Sequence, residues 1–126
     1  MLKTVLSFTI IFFCVFQIKA QTNPADNKNI GLCNMYGDTL KLDDLKACTT
    51  VTIRSDKPTT VTSFMFSYYL SDKMNVKLIN IFGNSIKKEE LDELIKIKPK
   101  KIFIQDVIGE SDSEILTIGH RTIYIK

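Results

Sequence analysis

A chain of 126 residues has room for one domain and not two, and its 17 basic and 14 acidic side chains give a formal net charge of +3. Two of the lysines, Lys3 and Lys19, fall in the first twenty residues; without them 15 basic residues face 14 acidic ones and the charge is +1. So even a balance supplies no electrostatic footprint for nucleic acid or an anionic membrane, and neither is expected as a partner.

The first twenty residues differ from the rest. Lys3 provides a positive start, Val5 to Phe16 is apolar apart from Ser7 and Thr9, and Ala20 precedes Gln21. The apolar run is too short to span a bilayer and no stop-transfer segment follows it, so residues 1–20 read as an export signal cleaved after Ala20, with no stable membrane insertion. A lipid-modified Cys14 is the weaker alternative, because bulky Phe13 stands where a small residue is wanted. The expected home is periplasmic or secreted. Residues 21–28 are polar, carry Pro24 and read as a flexible leader to a single β-rich domain over 29–126.

Within that domain Ile30, Leu32, Met35 and Tyr36 suggest a short strand. Gly37-Asp38 reads as a turn leading into Leu40 and Leu42, which predicts a small hairpin, and Asp43 can cap a single helical turn through Ala47. Cys33 and Cys48 are the cysteines left after the signal. In an oxidising compartment they read as a disulfide, with two free buried thiols as the alternative. A closed loop of about 15 residues is worth roughly 3 kcal/mol in the chain-entropy model.

Thr49 to Ser55 and Thr60 to Leu70 are rich in β-branched and aromatic residues. Period-two spacing places Thr60, Thr62, Phe64, Phe66, Tyr68 and Leu70 on one face, assigned to the core, and Val61, Ser63, Met65, Ser67 and Tyr69 on the other. Met74 to Phe82 suggests a further strand. Gly83-Asn84-Ser85 leads into a helix capped by Asn84 or Ser85, with an apolar stripe of Ile86, Leu91, Leu94 and Ile95, stopped by Pro99. Strands over Lys101–Ile108 and Glu114–Ile125 close the chain around the loop 109–113. The fold class expected is mainly β, a small Ig-like β-sandwich with one short α-helix.

Chemistry-bearing motifs are sparse. The helical carboxylates, Glu89-Glu90 and Asp92-Glu93, read as a solvated face. Glu110, Asp112 and Glu114 alternate as cation ligands can, but lack the glycine and register of a calcium loop. His120 reads as a structural histidine inside a strand. No GxSxG serine, placed Cys–His pair or phosphate-cradling loop is present. No catalytic residue, metal or cofactor is assigned and the chain is not expected to be an enzyme. Tyr68 and Tyr69 are the candidate ligand or partner surface, since neighbouring strand residues face opposite ways and at least one reaches the exterior.

From Val61 onward the order of features resembles a known family. The pieces are Val61-Thr62-Ser63-Phe64-Met65-Phe66-Ser67, Gly83-Asn84-Ser85-Ile86, a charged helix, Ile97-Lys98-Pro99, Ile102-Phe103-Ile104 and a closing hairpin ending Ile123-Tyr124-Ile125. This is similar to the C-terminal β-sandwich domain of the gliding-motility and type IX secretion protein GldM, over roughly Val61–Lys126. The departures are Lys100 where that family has glycine, Asp106 in place of a glutamate, and Asp112-Ser113 in place of Asp-Gly. The resemblance implies the sandwich fold, a habit of protein–protein contact and an origin in the Bacteroidetes; motor function is not carried over. The function expected is an exported, non-catalytic protein-interaction or structural module with a protein partner. The alternative is a small extracytoplasmic carbohydrate- or peptide-binding domain using an aromatic surface.

Overall fold

The computed structural model describes residues 26–71 and 74–126. The expected export signal, residues 1–20, and residues 21–25 of the expected leader lie outside them. The elements run β1 (Ile30–Leu32), β2 (Thr39–Leu40), α1 (Leu42–Ala47), β3 (Val51–Ile53), β4 (Thr60–Tyr69), β5 (Val76–Phe82), α2 (Lys88–Ile97), β6 (Lys101–Ser111) and β7 (Glu114–Ile125). Five strands form the main sheet in the order β2-β7-β6-β4-β5, antiparallel except for β2 beside β7; β1 and β3 pair as a small second sheet. The domain is mainly β and sandwich-like. Its thinner layer is two strands supplemented by two helices, the shorter standing where the sequence predicts one helical turn.

All of the covering elements contribute to one core on one face of the main sheet. Ile30 and Leu32 of β1, Leu45 of α1, Val51 of β3, and Leu91 and Leu94 of α2 are buried with Phe64, Phe66, Tyr68, Ile102, Ile104 and Ile123 of the sheet. A sheet with one apolar face and a helix with one apolar stripe bury each other in this way. Ile86 joins the core from just before α2, and Ile95 packs at its margin, as the stripe predicts.

Period two holds along β4 only beyond a bulge. Val61 is buried while Thr60 and Thr62 are exposed, and from Phe64 onward the predicted core face is the buried one. The register against β6 slips between Val61 and Ser63, so one extra residue reverses the parity. Thr62 turns its hydroxyl to the Ile108 carbonyl at 3.2 Å across this bulge. β6 and β7 are irregular at the same level, where Asp106 has φ 50° and Gly119 has φ 117°.

Two sequence expectations give way to other contacts. Asn84 and Ser85 do not cap α2, which starts at Lys88 behind Lys87 with no side-chain cap. They bridge the two sheets instead: Val51 donates to the Asn84 carbonyl at 2.7 Å, Ile86 to the Thr49 carbonyl at 2.7 Å, and the Thr50 and Ser85 hydroxyls meet at 3.1 Å. The far end of α2 behaves as predicted, with Lys98 left-handed (φ 53°) and Pro99 beyond it. The predicted hairpin about Gly37-Asp38 is replaced by a tighter turn at Cys33-Asn34, both residues left-handed, closed by Leu32 and Met35 bonding each other. Gly31 permits it, because a Cβ there would strike the Met35 carbonyl and the Tyr36 ring. β2 then pairs with β7 rather than β1.

Arg121 is what holds the N-terminal half in that path. It is 1% exposed, on the core face of β7. One guanidinium nitrogen, Nη1, donates to the carbonyls of Lys28 (3.0 Å) and Ile30 (2.8 Å); Nη2 donates to the Tyr36 carbonyl (2.6 Å) and to Asp38 Oδ1 (2.9 Å). The hydrogen bond from Lys28, then that from Arg121, holds the exposed Asp38 carboxyl below its usual value. Residues 26–28 are likewise not free leader. Asn27 donates from its backbone to the His120 carbonyl and from its side chain to the Ile118 carbonyl, and the Thr122 N–H donates to Asp26 Oδ2 at 3.1 Å. Cys33 and Cys48 are joined as a disulfide with their Cα atoms 5.9 Å apart, closing the same segment onto the end of α1.

Two substitutions test these attachments. Arg121→Met should cost about 2–4 kcal/mol, because charge-assisted bonds to three backbone carbonyls and a carboxylate are lost together, and amide exchange should rise first over residues 28–38. Leu94, fully buried on the core side of α2, should cost about 2–5 kcal/mol on change to Ala. Glu93→Ala, which removes only the exposed pair with Lys77, should cost under about 1 kcal/mol. Urea melts of the three variants decide both points.

Candidate functional site

The side chains opposite the core give the main sheet a second face that no other described element covers. Register brings them into rows. Leu78, Ser67, Phe103 and Thr122 are cross-strand partners on β5, β4, β6 and β7, as are Val76 with Tyr69 and Lys101 with Tyr124. Several are large, apolar and exposed: Tyr69 41%, Val76 47%, Leu78 53%, Phe82 92% and Tyr124 52%. Tyr69 meets Phe103 edge-on with ring centroids 5.9 Å apart, and Lys101 Nζ lies 5.4 Å from the Phe103 ring centre. Such pairs fix aromatic rings in place on an otherwise pliable surface.

Next to Tyr69, a half-open cavity of about 530 Å³ lies between the end of β4, the end of α2 and the start of β6. Tyr69, Leu70, Ile97 and Pro99 supply apolar walls; Lys98, Lys100 and Lys101 supply charge. Among the described residues none of these lysines is paired with an acid. The Lys98-Pro99-Lys100 segment is held there by the left-handed end of α2 and by the Ile125 N–H donating to the Lys100 carbonyl at 2.8 Å.

The two tyrosines singled out in the sequence separate. Tyr69 lies on the open face and lines the cavity. Tyr68 does not belong to any surface: it is fully buried under α2, against Phe66 at 5.8 Å between ring centroids. From Phe64 onward the even-numbered residues of β4 face the core, as the period-two spacing places them. Burial, with Glu93 and Glu90 adding to it, pushes the Tyr68 phenol up to about 12. Its hydroxyl has no hydrogen-bond partner among the described residues.

The remaining candidates are structural. His120 Nε2 is 3.4 Å from Asp26 Oδ1, within the strap over β7. Asp112 lies in the two-residue turn of the β6–β7 hairpin, with φ 51° beside Ser113 at 65°, and reaches Lys57 at 3.8 Å. Among the described residues no three His, Cys, Asp or Glu side chains gather as a metal-ligand set, and no helix is long and apolar enough to cross a membrane. Phe103, Tyr124 and the lysine rim were not singled out by sequence. Their signal, alternation on β6 and β7, acquires meaning only once the uncovered face is known.

No protein-family model matches the chain, and no curated protein matches it.

Tyr68 yields a pH prediction. Its phenol binds its proton more tightly folded (about 12) than unfolded (about 10), so between these values the unfolded state holds fewer protons and stability falls as pH rises. Tyr68→Phe should flatten that fall and leave stability at pH 7 unchanged or slightly higher, since a buried unpartnered hydroxyl is removed. Urea melts at pH 7 and across pH 10–12 measure both.

Proposed function

We propose that this chain is an exported, non-catalytic protein-interaction or structural module of the kind found at the C-terminus of GldM, working in the periplasm or secreted from a member of the Bacteroidetes. Its docking surface is the open face of the main sheet. The observation that carries this reading is the asymmetry of that sheet. One face is covered by β1, β3 and the two helices, while the other keeps Tyr69, Phe103 and Tyr124 on an uncovered surface bordered by Lys98, Lys100 and Lys101. Contiguous apolar surface with a polar rim is the ordinary form of a protein contact site, and aromatic residues are enriched at the centres of such sites. The unpaired lysines choose the partner's chemistry: a protein surface with an apolar centre and an acidic rim.

Other observations support the same reading. The bridged Cys33–Cys48 pair suits an oxidising compartment, as the signal expected at residues 1–20 requires. The long strand, the Gly83-Asn84 lead, the charged helix, the Lys98-Pro99 break and the closing hairpin follow in the order that the family resemblance implies. The cavity at Tyr69 favours a second reading, a carbohydrate- or peptide-binding domain.

Cross-linking and co-purification with the secreted protein separate these readings. A specific protein captured by the parent should be lost by about tenfold or more with Tyr69→Ser/Tyr124→Ser, and again with Lys101→Glu, while thermal melts stay close to the parent's. Capture unaffected by either variant overturns the assignment of the face. Glycan binding abolished by Tyr69→Ser, with no face-dependent protein capture, establishes the second reading in its place.

A further inference from the structure

The two long borders of the main sheet are treated differently. Along β7 the outer edge is occupied: β2 pairs with its end, and Asp26 and Asn27 bond its backbone at Ile118, His120 and Thr122. Along β5, the opposite border, no described element lies alongside. Its pairing with β4 runs from Ser63↔Phe82 to Tyr69↔Val76 without a register break. Just outside that run, Gly83 donates to Thr62 and Leu70 donates to the Asn75 carbonyl. The alternation of an antiparallel ladder therefore sends the backbone groups of Lys77, Ile79 and Ile81 towards β4 and those of Val76, Leu78, Asn80 and Phe82 outward.

Edge strands are normally guarded by proline, a bulge, shortness or an exposed charge. β5 is seven residues long with no proline or bulge. Its one charged residue, Lys77, sits on the core-face side and is paired with Glu93 of α2 at 3.7 Å. The side chains beside the outward backbone groups include Val76, Leu78 and Phe82, the last 92% exposed.

We propose that β5 is a self-association edge: two copies of this chain pair antiparallel along Val76–Phe82 and join their main sheets into one continuous sheet. Charge and pattern make the strand its own complement. A two-fold axis at Ile79 sets Val76 across from Phe82, Leu78 across from Asn80, and Lys77 across from Ile81 of the second copy. No like charges oppose each other, and an aromatic–β-branched pair closes each end. The register also satisfies hydrogen bonding, because every residue with outward backbone groups meets another such residue. A contact of one strand lies at the low end of specific interfaces, below about 1,200 Å² in total, so the dimer is weak and forms with rising concentration. The surface used is the edge of the sheet, and the pairing does not depend on the docking assigned to Tyr69 and Tyr124.

Sedimentation of the secreted protein over a wide concentration range tests it. The parent should pass from monomer to dimer. Asn80→Pro should remain monomeric while melting like the parent, because proline there removes an outward N–H and leaves the β4 ladder intact. Mixing Leu78→Cys with Asn80→Cys chains under oxidation should give a cross-linked heterodimer, since facing residues of this kind sit about 5.5 Å apart at Cα; Leu78→Cys mixed with Ile115→Cys should not. A parent that stays monomeric at every concentration overturns the proposal. So does a dimer that persists in Asn80→Pro, or β5 amides protected only by a different protein's strand.

Discussion

Arg121 stands in a row of core-facing side chains that crosses the sheet from Ile79 through Phe66 and Ile104. A guanidinium in such a row is tolerable only when its charge is paired and most of its donors are satisfied, because an unpaired buried charge costs several kcal/mol. Nη1 and Nη2 are satisfied by three backbone carbonyls and one carboxylate, all from residues 28–38, while Nε has no partner among the described residues. The dependence is therefore mutual. The N-terminal segment has few long hydrophobic side chains of its own and gains a fixed path from the arginine; the arginine gains the acceptors without which it could not be buried. A lysine would not substitute, since its single ammonium lacks the planar fork that reaches acceptors on both sides. The disulfide and the Asp26–Asn27 strap attach the same segment at further points, so the small sheet and α1 are positioned by polar and covalent ties as much as by burial.

That division explains what the sequence reveals. Elements organised by hydrophobic periodicity, β4 beyond its bulge, α2, β6 and β7, follow from the spacing of Phe64, Phe66, Leu91, Leu94, Ile102, Ile104 and Ile123. The cysteine pair follows from chemistry and compartment. What escapes is everything set by a distant polar partner. Nothing local to Gly37-Asp38 says that Arg121, more than eighty residues away, will hold the chain there and hand β2 to β7. Nothing in Asn84-Ser85 says that their backbone will serve β3 in place of capping α2. The bulge at Thr62 escapes for a related reason: an extra residue leaves no compositional trace, yet it decides that Val61 is core while Thr60 and Thr62 are surface.

The candidate site was half visible for the same reason. Tyr69 could be named from the alternation of β4, but Phe103, Tyr124 and the lysines are far apart in sequence and meet only through strand register and the left-handed turn after α2. Their common property is negative in origin: the elements that cover the sheet all lie on the other face. A chain of this size has enough apolar surface to build one covered face and little to spare for a second. An aromatic platform left outside has no stabilising role in the core, and exposing it carries an aggregation risk.

The same logic separates the two borders of the sheet. At β7 the exposed ladder is occupied by Asp26, Asn27 and β2, an arrangement that commits a polar segment and the arginine to a single task. At β5 no described element gives such cover, and the strand's one charge, Lys77, is drawn towards Glu93 on the helix. A covered border at β7 and an uncovered one at β5 among the described elements are not explained by composition, because lysine is abundant in this chain and stands at positions 87, 88, 96, 98, 100 and 101 nearby. A single lysine at position 78 or 80 would have guarded the edge at no cost to the core, since those side chains point away from it. That the strand carries leucine and asparagine there, and phenylalanine at its end, makes the unguarded edge a feature of the surface on the same footing as the aromatic face it adjoins.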